Sequence, residues 1–307
     1  MTAEVVAPRP TSSVRDYLRL GKFDVYDYYL GILIVASAAP AEPVTLLLFL
    51  LGEVAVIVAG VAFDDVTGYR DGSDLVNYGP DDRLRKKLRK PLVAGTLTES
   101  QALRFAWGAA AIGAALWTAA VLTAPHRPMW SVVLLVVVFA AALQYSYGLK
   151  LSYRGFQEAF LVVLGMTLVL APHGLITGEF SGFVLVQAVL FGMGPLMFGV
   201  YSNTNDVDGD RAVGRPTVAA LTTERGNARF IGALSVGEFL LGALASVTGV
   251  APWWFALLVL PATALRARQY HLGFAVGDIM RARKLGFTAH RTCVALLVLA
   301  NVLVAIG

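Results

Sequence analysis

Nine times along the chain there is an apolar run long enough, or nearly so, to cross the ~30 Å hydrocarbon layer of a bilayer. The runs lie near 23–40, 43–64, 100–123, 129–147, 155–175, 180–203, 228–249, 251–267 and 287–306. In lipid, backbone N–H and C=O groups must be satisfied within the protein, so each run is expected to be a helix. The eighth run holds Pro261, which in a membrane helix more often kinks than terminates. Composition agrees. Of 307 residues 57% are hydrophobic and only 15% charged, against about a quarter charged in soluble domains. The expected fold is an all-α, polytopic bundle of nine transmembrane helices. It would form one domain over 23–307 after a polar segment, 1–22. That segment contains Pro8 and Pro10 and has no apolar core before Lys22, so it does not read as a cleavable signal peptide. A single cysteine, Cys293, rules out an intrachain disulfide or a cysteine zinc cluster.

Basic residues set the orientation. Arg9, Arg15, Arg19 and Lys22 precede the first run, and Arg70, Arg83, Arg85, Lys86, Lys87, Arg89 and Lys90 follow the second. Lys150 and Arg154 follow the fourth, Arg211, Arg215 and Arg225 the sixth, and Arg266, Arg268, Arg281, Arg283 and Lys284 surround the connection from eighth to ninth. The alternate connections carry only Arg127. By the positive-inside rule the N-terminus and the even-to-odd loops face the cytoplasm, and nine crossings put the C-terminus outside. The net charge of +4 therefore reports basic loops beside membrane lipid, not a nucleic-acid partner.

The two long cytoplasmic connections also hold the densest acidic clusters. The first has Asp64, Asp65, Asp71 and Asp74; the second has Asn203, Asp206, Asp208, Asp210 and Arg211. The C-terminal end of a helix is unfavourable for a carboxylate, so acids placed there call for a cation. Magnesium takes oxygen ligands and usually a few carboxylates plus substrate phosphates. If the sixth helix continues, Asp206 and Asp210 share a face at i and i+4. Two such clusters facing each other would hold two magnesium ions. Either cluster alone reads equally well as a solvated loop; their placement four spans apart argues for the joint reading. Deeper in the second run lies Glu53, 11 residues before Asp64. Helix geometry returns it to within ~20° of the face of Asp64, ~16 Å deeper. Intramembrane ionisable groups usually face the bundle interior, so Glu53 is either a proton acceptor or a neutral hydrogen-bonded core acid. Glu238 and His173 read as structural or interfacial.

These segments resemble the UbiA superfamily of intramembrane prenyltransferases. The family's first motif, Asn-Asp-x-x-Asp followed by a further Asp and an Arg-Pro-Leu-x-x-Gly-like stretch, has its counterparts in Asp64, Asp65, Gly68, Asp74 and Lys90-Pro91-Leu92-Val93-Ala94-Gly95. The second, Asp-x-x-x-Asp-Arg-x-x-Gly-x-x-Thr, is matched by Asp206, Asp210, Arg211, Gly214 and Thr217. Between them, Tyr145-Ser146-Tyr147-Gly148-Leu149-Lys150 and Tyr153-x-Gly155-x-x-Glu158 are similar to the family's Tyr/Lys loop and the Gly-x-x-Glu after it. The first motif departs from the pattern: Asp64 replaces the leading Asn, Gly68 replaces the central Asp, and Asp71 is extra. Gly72-x-Asp74 is similar to the branch that prenylates dihydroxynaphthoate, whereas glycine at 68 resembles the terpene-cyclising branch.

The resemblance implies an enzyme that ionises an allylic isoprenyl diphosphate with magnesium, in a site open to the cytoplasmic side. Asp64, Asp65, Asp71, Asp74, Asp206 and Asp210 would hold the metal. Lys150, Arg211, Arg89, Lys90 and Asn203 would serve the diphosphate. Tyr145, Tyr147 and Tyr201 would face the allylic cation, each aromatic face contributing roughly 0.5–2 kcal/mol, although each fits an interfacial aromatic belt equally well. The prenyl group would pass to a small, hydrophobic or aromatic acceptor, or the cation would cyclise without one. A transporter would carry its acids near the midplane, where only Glu53 and Glu238 lie. A CDP-alcohol phosphotransferase would need an Asp-Gly-x-x-Ala-Arg element, which is absent.

Overall fold

The computed structural model describes residues 12–23, 25–78 and 89–307. Pro8, Arg9 and Pro10, and the basic run from Arg83 to Lys87, lie outside the described residues. A short helix α1 (Val14–Leu20) precedes a 3₁₀ turn, Tyr26–Leu30, that runs into α2 (Gly31–Ala38). Next come α3 (Pro43–Arg70), α4 (Ser73–Asn77), α5 (Glu99–Thr123), α6 (Met129–Leu143), α7 (Gln157–Thr177) and α8 (Gly182–Asn205). The chain continues through α9 (Val207–Ala212), α10 (Val218–Leu221), α11 (Glu224–Val247), α12 (Phe255–Leu258), α13 (Leu260–Tyr270) and α14 (Ile279–Ile306). No strand occurs among the described residues.

Six of these helices, α3, α5, α7, α8, α11 and α14, are long and apolar enough to cross a membrane. The first and fourth apolar runs form shorter helical stretches, Tyr26–Ala38 and Met129–Leu143. The eighth run is divided between α12 and α13. Pro261 stands in the first turn of α13, which Val259 alone separates from the end of α12; there its missing N–H is one of the unpaired ones and its fixed φ suits the start of a helix. Polar caps set other helix starts. Ser181, Thr223 and Asp278 accept backbone N–H bonds from Val184, Gly226 and Arg281.

Absent side chains let the long helices approach. A Cβ on Gly165 of α7 would lie 2.5 Å from Cα of Gly192 of α8, the small-residue crossing expected where lipid gives no hydrophobic drive for association. Between α3 and α5, Trp117 stacks on Phe49 and donates its indole N–H to the Phe49 carbonyl at 3.2 Å. Two ion pairs tie the bundle, one between a buried aspartate and an exposed arginine and one largely buried. Asp27 accepts from Arg291 of α14 at 2.7 and 2.9 Å, beside a 3.1 Å contact between the Asp27 carbonyl and the imidazole of His290. Glu238 of α11 is gripped by Arg266 of α13 at 2.7 and 3.1 Å, and Arg266 donates also to Gln269. Glu238 is thus a partner in packing, as the sequence suggests.

Candidate active site

Helix α3 runs six residues past the expected end of its apolar run. Asp64 and Asp65 therefore sit inside the helix, and only Asp71 stands at its C-terminal cap. The chain then reverses through Gly72, whose φ of +82° favours a residue without Cβ. The reversal starts α4 and points Asp74 back at α3. The carboxylate of Asp74 fills the space beside Gly68: a Cβ at 68 would meet Asp74 Oδ2 at 2.7 Å and Cγ at 2.8 Å. A side chain at 68 would therefore displace the Asp74 carboxylate from its place in this structure.

The second acidic segment docks on the first. Helix α8 ends at Asn205, Asp206 joins it to α9, and the Asp210 N–H still bonds the Asp206 carbonyl at 2.9 Å. The i, i+4 relation survives the break. Gly209 lies against Asn77 of α4, where a Cβ would be 2.3 Å from the Asn77 amide oxygen. Thr217, fully buried, donates to Asp210 Oδ2 at 3.2 Å and fixes that carboxylate. Arg215 reaches across to Asp64 Oδ1 at 3.1 Å and also bonds Ser146 and Ser152. Ser146 donates to the same Asp64 oxygen at 2.6 Å. Glu158 accepts from the Val218 N–H at 3.1 Å, anchoring this segment to α7.

Cations stand between the carboxylates. Lys90, 6% exposed, puts Nζ 2.7 Å from Asp65 Oδ1 and 2.8 Å from Asp74 Oδ2. Lys22 approaches Asp65 at 3.1 Å and Asp64 at 3.9 Å. Burial alone would lower the basicity of Lys90, but Asp65 and Asp74 outweigh it and hold the ammonium above the ordinary lysine value. Burial also opposes the charge of Arg215, and Asp64 overcomes it in the same way. For Asp74 burial wins over Lys90, which it shares with Asp65, and its pKa is pushed up to about 6. Burial likewise lifts Asp210 to about 6 against the pull of Arg215. Burial raises Asp71 too, yet hydrogen bonds from Tyr153 and Ser73 bring it below its ordinary value.

The structure gathers Asp64, Asp65, Asp74, Lys90, Asp206 and Asp210 at one end of the bundle and sends other expected residues elsewhere. Arg211 turns outward to the carbonyls of Ala220 and Thr222. Arg215, four residues on, is the arginine of this segment that contacts Asp64. Tyr147 packs between Phe63 and Trp107 in the α3/α5 core. Tyr201 is fully buried against Gly273 and Phe274, on the α13 side. Tyr145 stays near Asp64 and rests on Phe160. Exposed Lys150 lies 5.0 Å over the Tyr153 ring, whose hydroxyl donates to Asp71. Asn203 accepts from Gln157 at 2.8 Å, and Arg89 is exposed. Glu53 is 0% exposed, and neither carboxyl oxygen has a hydrogen-bond partner among the described residues. Sequence reasoning missed Lys22 and Arg215, which it counted only as topological charge. It also gave no role to Tyr153, although Tyr153 lies within the quoted Tyr/Lys loop.

A model of the UbiA prenyltransferase family matches residues 28–288. The chain belongs to this family. Solved UbiA homologues share the fold at low identity. One from Aeropyrum pernix K1 is 19% identical, with a TM-score of 0.66 over 95% of this chain and 98% of that one. One from Archaeoglobus fulgidus, bound to DMAPP and Mg2+, is 14% identical, with a TM-score of 0.64 over 92% of this chain and 99% of that one. The same homologue bound to GPP and Mg2+ gives a TM-score of 0.61 at 14% identity over 91% and 99% of the two chains. A search of curated proteins finds no match.

The residues present suit the magnesium that UbiA relatives carry. The donors are hard carboxylate oxygens, and Asp65 Oδ2 is buried without a hydrogen-bond partner among the described residues. Asp65 and Asp74 already converge on one cationic atom, Lys90 Nζ. Among the described residues no three acidic side chains converge on a single point, because ammonium and guanidinium groups stand among them.

Proposed function

We propose that this UbiA member ionises an allylic isoprenyl diphosphate and transfers the prenyl group to a small aromatic acceptor, in a site opening to the cytoplasmic side. The observation that carries the reading is the docking of two acidic segments from distant parts of the chain, Gly209 on Asn77 and Arg215 on Asp64. Asp64, Asp65, Asp74, Asp206 and Asp210 would hold two ions, with Asp71 at the edge. Magnesium bound with the diphosphate supplies charge neutralisation of the leaving group. Lys90, Lys22 and Arg215 donate charge-assisted hydrogen bonds to phosphate oxygens. Lys150 reaches the same rim over Tyr153. Tyr145, close to Asp64, would offer its ring to the allylic cation. The cytoplasmic opening is supported by the basic residues that crowd this end of the bundle.

Cyclisation without an acceptor is a second reading, favoured by Glu53. Glu53 is fully buried and neither of its oxygens is hydrogen-bonded among the described residues; as the carboxylate it would accept the proton that a cyclised cation loses to form the alkene. The deciding assay uses purified protein in nanodiscs with geranyl, farnesyl and geranylgeranyl diphosphates, with and without magnesium and a panel of aromatic acids. Magnesium-dependent pyrophosphate release with a prenylated acceptor supports transfer. A cyclic hydrocarbon formed without acceptor, and altered in Glu53→Gln, supports cyclisation. Absence of release, with Asp206→Ala indistinguishable from the parent, refutes both.

A further inference from the structure

We propose that Lys90 is a tethered counter-cation that makes metal entry depend on the diphosphate. The inference rests on the functional reading above and adds to it an order of assembly. Asp64, Asp65 and Asp74 contribute three negative charges at this end of α3. Lys22, Lys90 and Arg215, all within 4 Å of them, contribute three positive ones, so these three carboxylates are matched by cations before any metal arrives.

The point between Asp65 and Asp74 is where both carboxylates already aim, and Lys90 Nζ occupies it. Magnesium–oxygen bonds of ~2.0–2.1 Å leave no room for an ammonium there. The carboxylates have little freedom to receive an ion elsewhere. Asp65 is 1% exposed, and Asp74 is wedged against Gly68. Lys90 must therefore swing aside. Its backbone is held by a turn in which Ala94 N–H bonds the Lys90 carbonyl at 2.9 Å and Leu97 packs at 3% exposure, so the movement belongs to the side chain.

An ammonium displaced from two carboxylates inside this pocket loses its partners, and a buried charge without a partner is strongly unfavourable. A diphosphate offers new oxygens within reach of the same side chain. Metal alone is thus opposed by Lys90, whereas metal with diphosphate is favoured by it. Linkage makes the effect reciprocal. Lys90 is in this sense a positioning residue: it sets which assembly of ion and anion the carboxylates accept.

The test is Mn2+ binding to the full chain in detergent, followed by EPR, with and without inorganic pyrophosphate. Without pyrophosphate, Lys90→Met is expected to bind Mn2+ about 10–100-fold more tightly than the parent, within the usual range of coupling between sites. Lys90→Arg, which keeps the charge, should behave as the parent. The tightening should vanish when Asp65→Asn is added. Equal Mn2+ affinity in the parent and Lys90→Met would overturn the proposal while leaving the metal site intact. The unmodified protein gives an independent check should Lys90→Met fold poorly. Micromolar Mn2+ binding without pyrophosphate, abolished by Asp65→Asn, would also overturn it. No Mn2+ binding by any of these proteins, even with pyrophosphate, would refute the metal reading itself.

Discussion

Gly68→Ala isolates a tightly constrained contact in the site. The added methyl would lie 2.7 Å from Asp74 Oδ2, 2.8 Å from Cγ and 3.1 Å from Oδ1. Favourable contact begins near ~3.5 Å, so the carboxylate must retreat by roughly 0.8 Å on that scale. It is 7% exposed and bonded to Lys90 at 2.8 Å. Retreat therefore stretches that ion pair or lifts α4 from α3. Overpacking of this kind costs about 1–3 kcal/mol. The same loss expressed in the transition state is a factor of ~5–150 in kcat/KM. A double-mutant cycle with Asp74→Ala supplies the measurement, read by melting temperature in detergent and by magnesium-dependent pyrophosphate release. Once the carboxylate is gone the methyl has room, so Gly68→Ala should be nearly neutral in the Asp74→Ala background, a coupling of about 1–3 kcal/mol. Parent-like behaviour of Gly68→Ala, or strict additivity of the two changes, would refute the claim that Asp74 occupies the place of a side chain at 68.

The pH dependence follows from Asp74 and Asp210, both lifted to about 6 by burial. The folded protein keeps these protons between about 4 and 6, where the unfolded chain has released them, so their contribution to metal-free stability is present below about 4 and is lost as pH rises through 6. Activity at limiting magnesium needs the anions and rises over the same window; melting curves and kcat/KM against pH, compared with Asp210→Asn, check both signs. Arg215→Met removes the partner of Asp64 and should cost about 1–3 kcal/mol in stability, less than a fully buried pair because both groups are partly exposed. Arg211→Ala, by contrast, should change the KM for diphosphate less than about threefold, as for a surface change remote from the site; a larger rise would return Arg211 to the site. Glu238→Gln strands the buried Arg266 guanidinium and should lower stability by about 3–5 kcal/mol with KM unchanged, a separation visible by pairing thermal melts with Michaelis curves.

The long apolar runs were legible because membrane crossing demands length and hydropathy that nothing else in a sequence imitates. Helices α3, α5, α7, α8, α11 and α14 all lie within or across the expected runs. The acidic pairs were legible too, since Asp206 and Asp210 keep helical spacing through the break between α8 and α9. What spacing could not convey was side-chain direction. Tyr147 and Tyr201 stand at suitable positions along the chain but rotate into the α3/α5 and α13-side cores. Arg211 and Arg215 differ by one helical turn of sequence, yet the turn after α9 sends the first outward and the second to Asp64. Lys22 joins the site by tertiary approach alone, which no local pattern records. The extension of α3 to Arg70 was hidden by the polar composition of its last two turns.

The Asp27–Arg291 clasp bears on how the protein is made. Its two partners are 264 residues apart, so Asp27 leaves the ribosome with nothing to pair with. At the usual ~5–20 residues per second of synthesis, the wait for Arg291 is on the order of 13–50 s. During that interval the first helical segment carries an unmatched carboxylate, and close packing there would bury it without compensation. Arrival of α14 ends the wait and draws the segment Tyr26–Ala38 against it.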